Sequence, residues 1–169
     1  MSTKVEVLVV MGSDSDLATM DKCLDTLNEF GIKFECRISS AHRTPEETCK
    51  LATSARNRGI KVIIAAAGMA AHLAGVIAAH TTLPVIGVPM VSGSLQGFDA
   101  LLSTVQMPPG IPVATVGTGS GGAKNSALLA IQIMSIENDE LASKLEIYKK
   151  DMAQAVKDKD QQLQDKLNG

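Results

Sequence analysis

Aromatic side chains are almost missing from this chain: its 169 residues include three Phe, one Tyr and no Trp. Proteins that hold single-stranded nucleic acid stack its bases on aromatic platforms, so this chain is not expected to bind nucleic acid. A flavin is disfavoured on the same ground, because nothing is available to flank its ring system. Charge of one sign is lacking too. Sixteen Lys and Arg against 18 Asp and Glu give a formal net charge of −2, so no strongly basic surface is expected. No apolar run is long and unbroken enough for a convincing membrane span. The opening MSTKVEVLVVMGS lacks the charged, apolar and cleavage regions of a secretion signal. The three cysteines, Cys23, Cys36 and Cys49, show neither CxxC nor Cys/His ligand spacing, which points to reduced thiols without a disulfide or metal role. The phosphate-loop pattern GxxxxGK[ST] and the dinucleotide pattern GxGxxG are both absent. A single cytoplasmic domain over residues 1–169, with no metal and no cofactor, is the resulting expectation.

What the chain does have is alternation. Residues 5–10 are β-branched and apolar, and the turn GSDSD follows them. Residues 17–30 then carry apolar side chains at helical spacing (Leu17, Met20, Leu24, Leu27), with Gly31 placed to end the helix. Residues 33–39 suit a second strand. Thr44 is the expected N-cap of the next helix, with Pro45 in its first turn and Glu46 and Glu47 at the positive end of its dipole; the helix runs to about Gly59. Residues 62–67 are apolar throughout, as strands buried on both faces are. A short Ala-rich helix, a fourth strand at 84–88 and a fifth at 112–116 follow. GTGSGG then leads into a helix through 128–134. This order predicts an α/β, flavodoxin-like three-layer sandwich: a five-stranded parallel sheet, strand order 2-1-3-4-5, with helices on both faces. From residue 138 the character changes. Leu141, Leu145, Tyr148, Met152 and Val156 form an apolar stripe on an otherwise charged helix, continuing weakly to Leu163 and Leu167. Such a helix can pack on its own sheet. Its length, about 30 residues by position, favours an extension over 138–169 that covers a neighbouring subunit.

In an open parallel sheet, ligands bind beyond the carboxyl ends of the strands where strand order reverses. Here that crevice lies between strands one and three, and three loops converge on it. The first, GSDSD at 12–16, offers backbone N–H groups and the hydroxyls of Ser13 and Ser15 to a phosphate; Asp16 suits ribose hydroxyls. Alone, this loop reads as an N-cap cluster. The second, SSAHRTP at 39–45, adds Ser40, Ala41, His42 and Arg43. A guanidinium grips phosphate with two parallel hydrogen bonds, and an imidazole can give and take a proton near neutral pH. The third, AAAGMAAHLAG at 65–75, is bare of large side chains, so a small uncharged molecule could be held there away from water. It contains His72, a second candidate for proton transfer. His80 is expected to be structural, and the three histidines do not make a metal triad.

Taken together, GSDSD, SSAHRTP, AAGMAAHLAG, LPVIGVP, VQMPPGIPVATV and KNSALLAIQI resemble the 5-(carboxyamino)imidazole ribonucleotide mutases, the bacterial type of phosphoribosylaminoimidazole carboxylase in purine biosynthesis. The resemblance spans nearly the whole chain. It implies an ATP- and metal-independent isomerase that decarboxylates its substrate, traps the carbon dioxide and recarboxylates ring carbon 4. It implies that Ser13, Ser15, Ser40 and Arg43 hold the phosphate, with Ala41 beside them and Asp16 on the ribose. It further implies that His42 is the general acid and base, and that Gly68, His72 and Leu73 line the pocket around the imidazole and the migrating carboxylate. It also implies a homo-octamer with sites between subunits. The chain departs from the usual GAGGAAHLPG at Ala66, Met69 and Ala74; Met69 adds a flexible side chain that bears on efficiency rather than reaction type. Two rival expectations are a direct carboxylase using free carbon dioxide and a phosphoribosyl-binding module without chemistry.

Overall fold

The computed structural model describes residues 4–168; residues 1–3 and 169, the ends of the expected single domain and of its 138–169 extension, lie outside the described residues. Five strands form one parallel sheet: β1 (Val7–Met11), β2 (Phe34–Ile38), β3 (Val62–Ala67), β4 (Val85–Pro89) and β5 (Ala114–Thr115). Their order is β2-β1-β3-β4-β5, as the sequence predicts. Six α-helices join and follow them: α1 (Leu17–Glu29), α2 (Pro45–Ala55), α3 (Leu73–Ala79), α4 (Phe98–Val105), α5 (Gly119–Ser135) and α6 (Asp139–Asn168).

The apolar character of the strands follows from helices lying on both faces. Successive side chains of a strand point to opposite sides, yet every residue of β1 and of β4 is buried. On one face Leu8 and Val10 of β1, Ile63 and Ala65 of β3 and Val85 of β4 pack with Ala52 and Ala55 of α2 and Leu73, Ala74 and Ile77 of α3. On the other, Val7, Val9, Ile64 and Ile86 are equally shut off from solvent. Helices α1 and α5 meet there, with Ser126 Oγ donating to Cys23 Sγ at 3.5 Å. Cys23, Cys36 and Cys49 are all free thiols, and burial first of all pushes the Cys23 thiol up to about 11.

Several local expectations need correction. The segment 98–105 forms α4, a helix that the sequence reading passed over between the fourth and fifth strands. Its first turn follows Gly97, at φ +84°, so the usual Ser/Thr/Asp/Asn signal at a helix start is missing. The fifth strand shrinks from 112–116 to Ala114–Thr115, pairing with Ile86 and Gly87 of β4. Thr44 does occupy the N-cap of α2, but its hydroxyl makes no capping bond to that helix. It turns back instead, donating to Ser40 O at 3.1 Å and accepting from Ser40 N at 3.0 Å. Gly31, by contrast, takes the left-handed conformation (φ +76°) expected just after α1.

The chain divides into two compact units, Met1–Ile133 and Met134–Gly169. The first contains the sheet. In the second, α6 is a 30-residue helix. Leu141 and Leu145 are buried, whereas Ile147, Met152, Val156, Leu163 and Leu167 are exposed. Among the described residues no helix is long and apolar enough to cross a membrane.

Candidate active site

Strand register sets the site. Met11, the last residue of β1, pairs with Ile38 at the end of β2 and with Ala66 near the end of β3. Three chain segments therefore leave the sheet at one level. Two further bonds carry the ladder past the strand ends: Gly12 N donates to Ala66 O, and Ser39 N to Met11 O, both at 2.9 Å. The loops consequently start from a rigid edge rather than from free chain.

In the first loop Ser13 is extended (φ −150°, ψ 156°) and opens a 3-10 turn, Asp14–Asp16. Its hydroxyl accepts from Ser15 N at 3.3 Å and from Ser15 Oγ at 2.9 Å, so the two serines face the same side. Asp16 is half-buried. Burial above all raises its carboxyl above the ordinary aspartate range; a hydrogen bond from the Ser13 backbone opposes this shift, and the charge of Asp14 adds to it.

In the second loop Thr44 closes the turn around Ser40, and Ser40 Oγ accepts from Arg43 N at 3.2 Å. The Arg43 side chain crosses to the first loop, where Nη2 donates to Gly12 O at 3.0 Å. One guanidinium nitrogen thus anchors the group between the two loops. Ser39 lies beneath, its hydroxyl 2.8 Å from Thr48 Oγ1 in a buried contact.

The third loop supplies the partner of His42. His42 Nε2 stands 2.9 Å from His72 Nδ1, with ring centroids 5.0 Å apart and planes at 87°. In such a contact one nitrogen carries the hydrogen and the other accepts it, so a proton can be held or passed between the rings. His72 is the N-cap residue of α3 and makes no side-chain cap bond, which leaves its ring available. Ser103 of α4 fixes this loop from behind, accepting from Ala71 N at 3.0 Å.

All ten residues singled out from the sequence line one cleft of about 560 Å³: Ser13, Ser15, Asp16, Ser40, Ala41, His42, Arg43, Gly68, His72 and Leu73. His80 stands apart, in a shallow groove with Arg56 and Thr82. Met69 also lines the cleft. It adopts φ +56° and is 62% exposed on the wall of that cleft. The sequence reading missed Ser92, which lines the cleft from the loop after β4, and Ser103. The fourth loop lacks His, Arg and acidic residues, so only its position beside β3 could have drawn attention to it. Among the described residues no group of three or more His, Cys, Asp or Glu could hold a metal ion.

Comparison with known proteins extends this geometry. The family model described as AIR carboxylase matches residues 6–155. A protein of Pyrococcus abyssi named N5-carboxyaminoimidazole ribonucleotide mutase is 56% identical over 147 residues, covering 87% of this chain and 83% of its own length. One of Bacillus subtilis with the same name is 52% identical over 155 residues, covering 92% and 96%. Among solved structures, Treponema denticola PurE superposes with a TM-score of 0.83 at 33% identity, covering 93% of this chain and 97% of that one. With nearly the whole chain matched and the sheet edge built as described, this protein belongs to the AIR carboxylase family.

Proposed function

We propose that this protein is an N5-carboxyaminoimidazole ribonucleotide mutase, an isomerase of purine biosynthesis that moves a carboxylate from the exocyclic nitrogen to carbon 4 of the ring. The contact between His42 and His72 at the head of the cleft, 2.9 Å, carries this reading. It supplies a proton-handling pair beside an anion grip, and the named relatives supply the substrate class. Arg43, Ser13, Ser15 and Ser40 hold the phosphate, with Ala41 beside them, and Asp16 accepts from the ribose hydroxyls. Gly68, His72 and Leu73 surround the imidazole.

His42 acts in its protonated form and gives its proton to the carbamate nitrogen. The N–C bond then breaks, its electron pair stays on nitrogen, and carbon dioxide is freed into the recess. The enamine-like carbon 4 attacks it, forming the new C–C bond, and the ring proton displaced from carbon 4 returns to His42. The proton is lent and recovered, so the cycle consumes no ATP and calls for neither metal nor organic cofactor. Proton transfer of this kind contributes about 10²–10⁴-fold, and the remainder comes from holding carbon dioxide against carbon 4.

The test is to mix the protein with the carbamate substrate and follow carboxylate migration without ATP. Migration is expected in the wild type, and His42→Asn should bind substrate but not turn it over. Normal turnover in that variant would end the proposal. Isotopic carbonate separates the direct carboxylase: label entering product faster than exchange with solvent would favour that reaction.

The protein works as a homo-oligomer, an octamer, in the cytoplasm. Support comes from Phe98, Leu102 and Val105, which recur at one face of α4 and are exposed together with Val91 and Leu95. That is a contiguous apolar sequence pattern of the kind an interface covers. The exposed Met152, Val156, Leu163 and Leu167 of α6, which recur on one face of that helix, supply a second stripe for a neighbouring subunit.

A further inference from the structure

Hydroxyl groups around the cleft are otherwise committed. Ser13, Ser40, Thr44 and Ser103 each have a hydrogen-bond partner. Ser92 differs. It lines the cleft, but its Oγ is shut off from solvent and has no hydrogen-bond partner among the described residues. It presses on Gly68 so closely that a Cβ built there would stand 2.5 Å from that oxygen. A buried hydroxyl without a partner carries an uncompensated desolvation cost, and in a native protein such a group calls for an explanation.

Strand order says where that hydroxyl stands relative to the anion grip. Arg43 and the serines of the first loop lie beyond β1 and β2, whereas Ser92 follows β4, on the other side of β3. Met90 N donates to Ala67 O at 2.9 Å, which holds the start of the fourth loop against the end of β3. A ribonucleotide whose phosphate sits over β1 and β2 therefore extends its imidazole toward Gly68 and Ser92. The strongest acceptor at that end of the substrate is the carboxylate that moves.

We infer that Ser92, its hydroxyl turning about χ1 away from Gly68 into the cleft, donates a hydrogen bond to the migrating carboxylate, so that this orphaned group is satisfied only when the substrate or product is bound. The inference rests on the mutase reading above. It also gives Gly68 a reason beyond flexibility: a side chain at that position would displace the donor.

The test compares two ligands that differ in one group, 4-carboxy-5-aminoimidazole ribonucleotide and 5-aminoimidazole ribonucleotide, by titration calorimetry on wild type and Ser92→Ala. The variant should bind the carboxylated ligand about tenfold more weakly or worse, as for loss of one hydrogen bond to a charged group, and the uncarboxylated ligand as well as wild type does. Its melting temperature should be unchanged or higher, since the hydroxyl has no partner to lose. Ser92→Cys, a somewhat larger side chain with a poorer donor, should show an intermediate loss and serves the same comparison if the alanine variant does not fold. Equal losses for both ligands, or none, would overturn the role of Ser92 while leaving a wild type that turns over as a mutase. A wild type that neither binds these ligands nor moves the carboxylate would overturn the mutase reading, and this inference with it.

Discussion

Asp16 enters its turn half-buried, and its carboxyl is held above the ordinary range chiefly by desolvation. Because the folded state binds that proton more tightly than the unfolded chain, Asp16 begins to lower stability as pH rises through the ordinary aspartate value, does so in full above the raised one, and has no effect where both states are protonated. Asp16→Asn should therefore raise the melting temperature at neutral pH, and the gain should vanish below about pH 4. The same substitution should weaken ribonucleotide binding, which a titration at neutral pH would read. Met69 presents a second local cost. A non-glycine residue at φ +56° is disfavoured by contact of its Cβ with the carbonyl oxygen, and Met69→Gly should stabilise by about 1 kcal/mol in denaturant melts. Neither residue could be ranked this way from sequence, since burial and φ are properties of the folded loop.

Between elements, Gly87 decides how closely α4 approaches the sheet. A Cβ there would meet Thr104 Cγ2 at 2.3 Å and Val113 Cγ1 at 3.0 Å. Gly87→Ala should lower stability by about 1–3 kcal/mol through overpacking. Adding Thr104→Ser, which removes the offending methyl group, should restore part of it; equilibrium denaturation of the single and double variants measures both effects. Helix α4 matters to the site because Ser103 holds the His72 loop through Ala71 N. This helix was the element least legible in the sequence. It starts after a left-handed glycine instead of a capping Ser, Thr, Asp or Asn, in a loop rich in Gly and Ser. The strands were legible for the opposite reason: Val7–Met11 and Val62–Ala67 are apolar without interruption because helices cover both faces. The candidate site was legible wherever chemistry was concentrated, as at His42, Arg43 and His72. It was illegible at Ser92, an ordinary serine until its hydroxyl is found buried beside Gly68.

For the molecule as a whole, the assembly is the largest expectation still carried by apolar surface. Light scattering on the wild type should report the mass of an octamer. Phe98→Glu, which places a charge on a side chain 63% exposed, should shift the mass to smaller species without unfolding the sheet. An unchanged mass would remove α4 from the interface. The sequence by itself determined the alternation of strand and helix, the parallel sheet and its order, and the three chemistry-bearing loops at the carboxyl edge, because hydrophobic period and connection rules are local or nearly so. Only the tertiary structure decided that His42 meets His72 across 30 positions of sequence at 2.9 Å, that Arg43 is anchored on Gly12 and that, among the described residues, the buried Ser92 hydroxyl is left without a partner. Those facts depend on register between strands and on where loops fold back, which no single segment specifies.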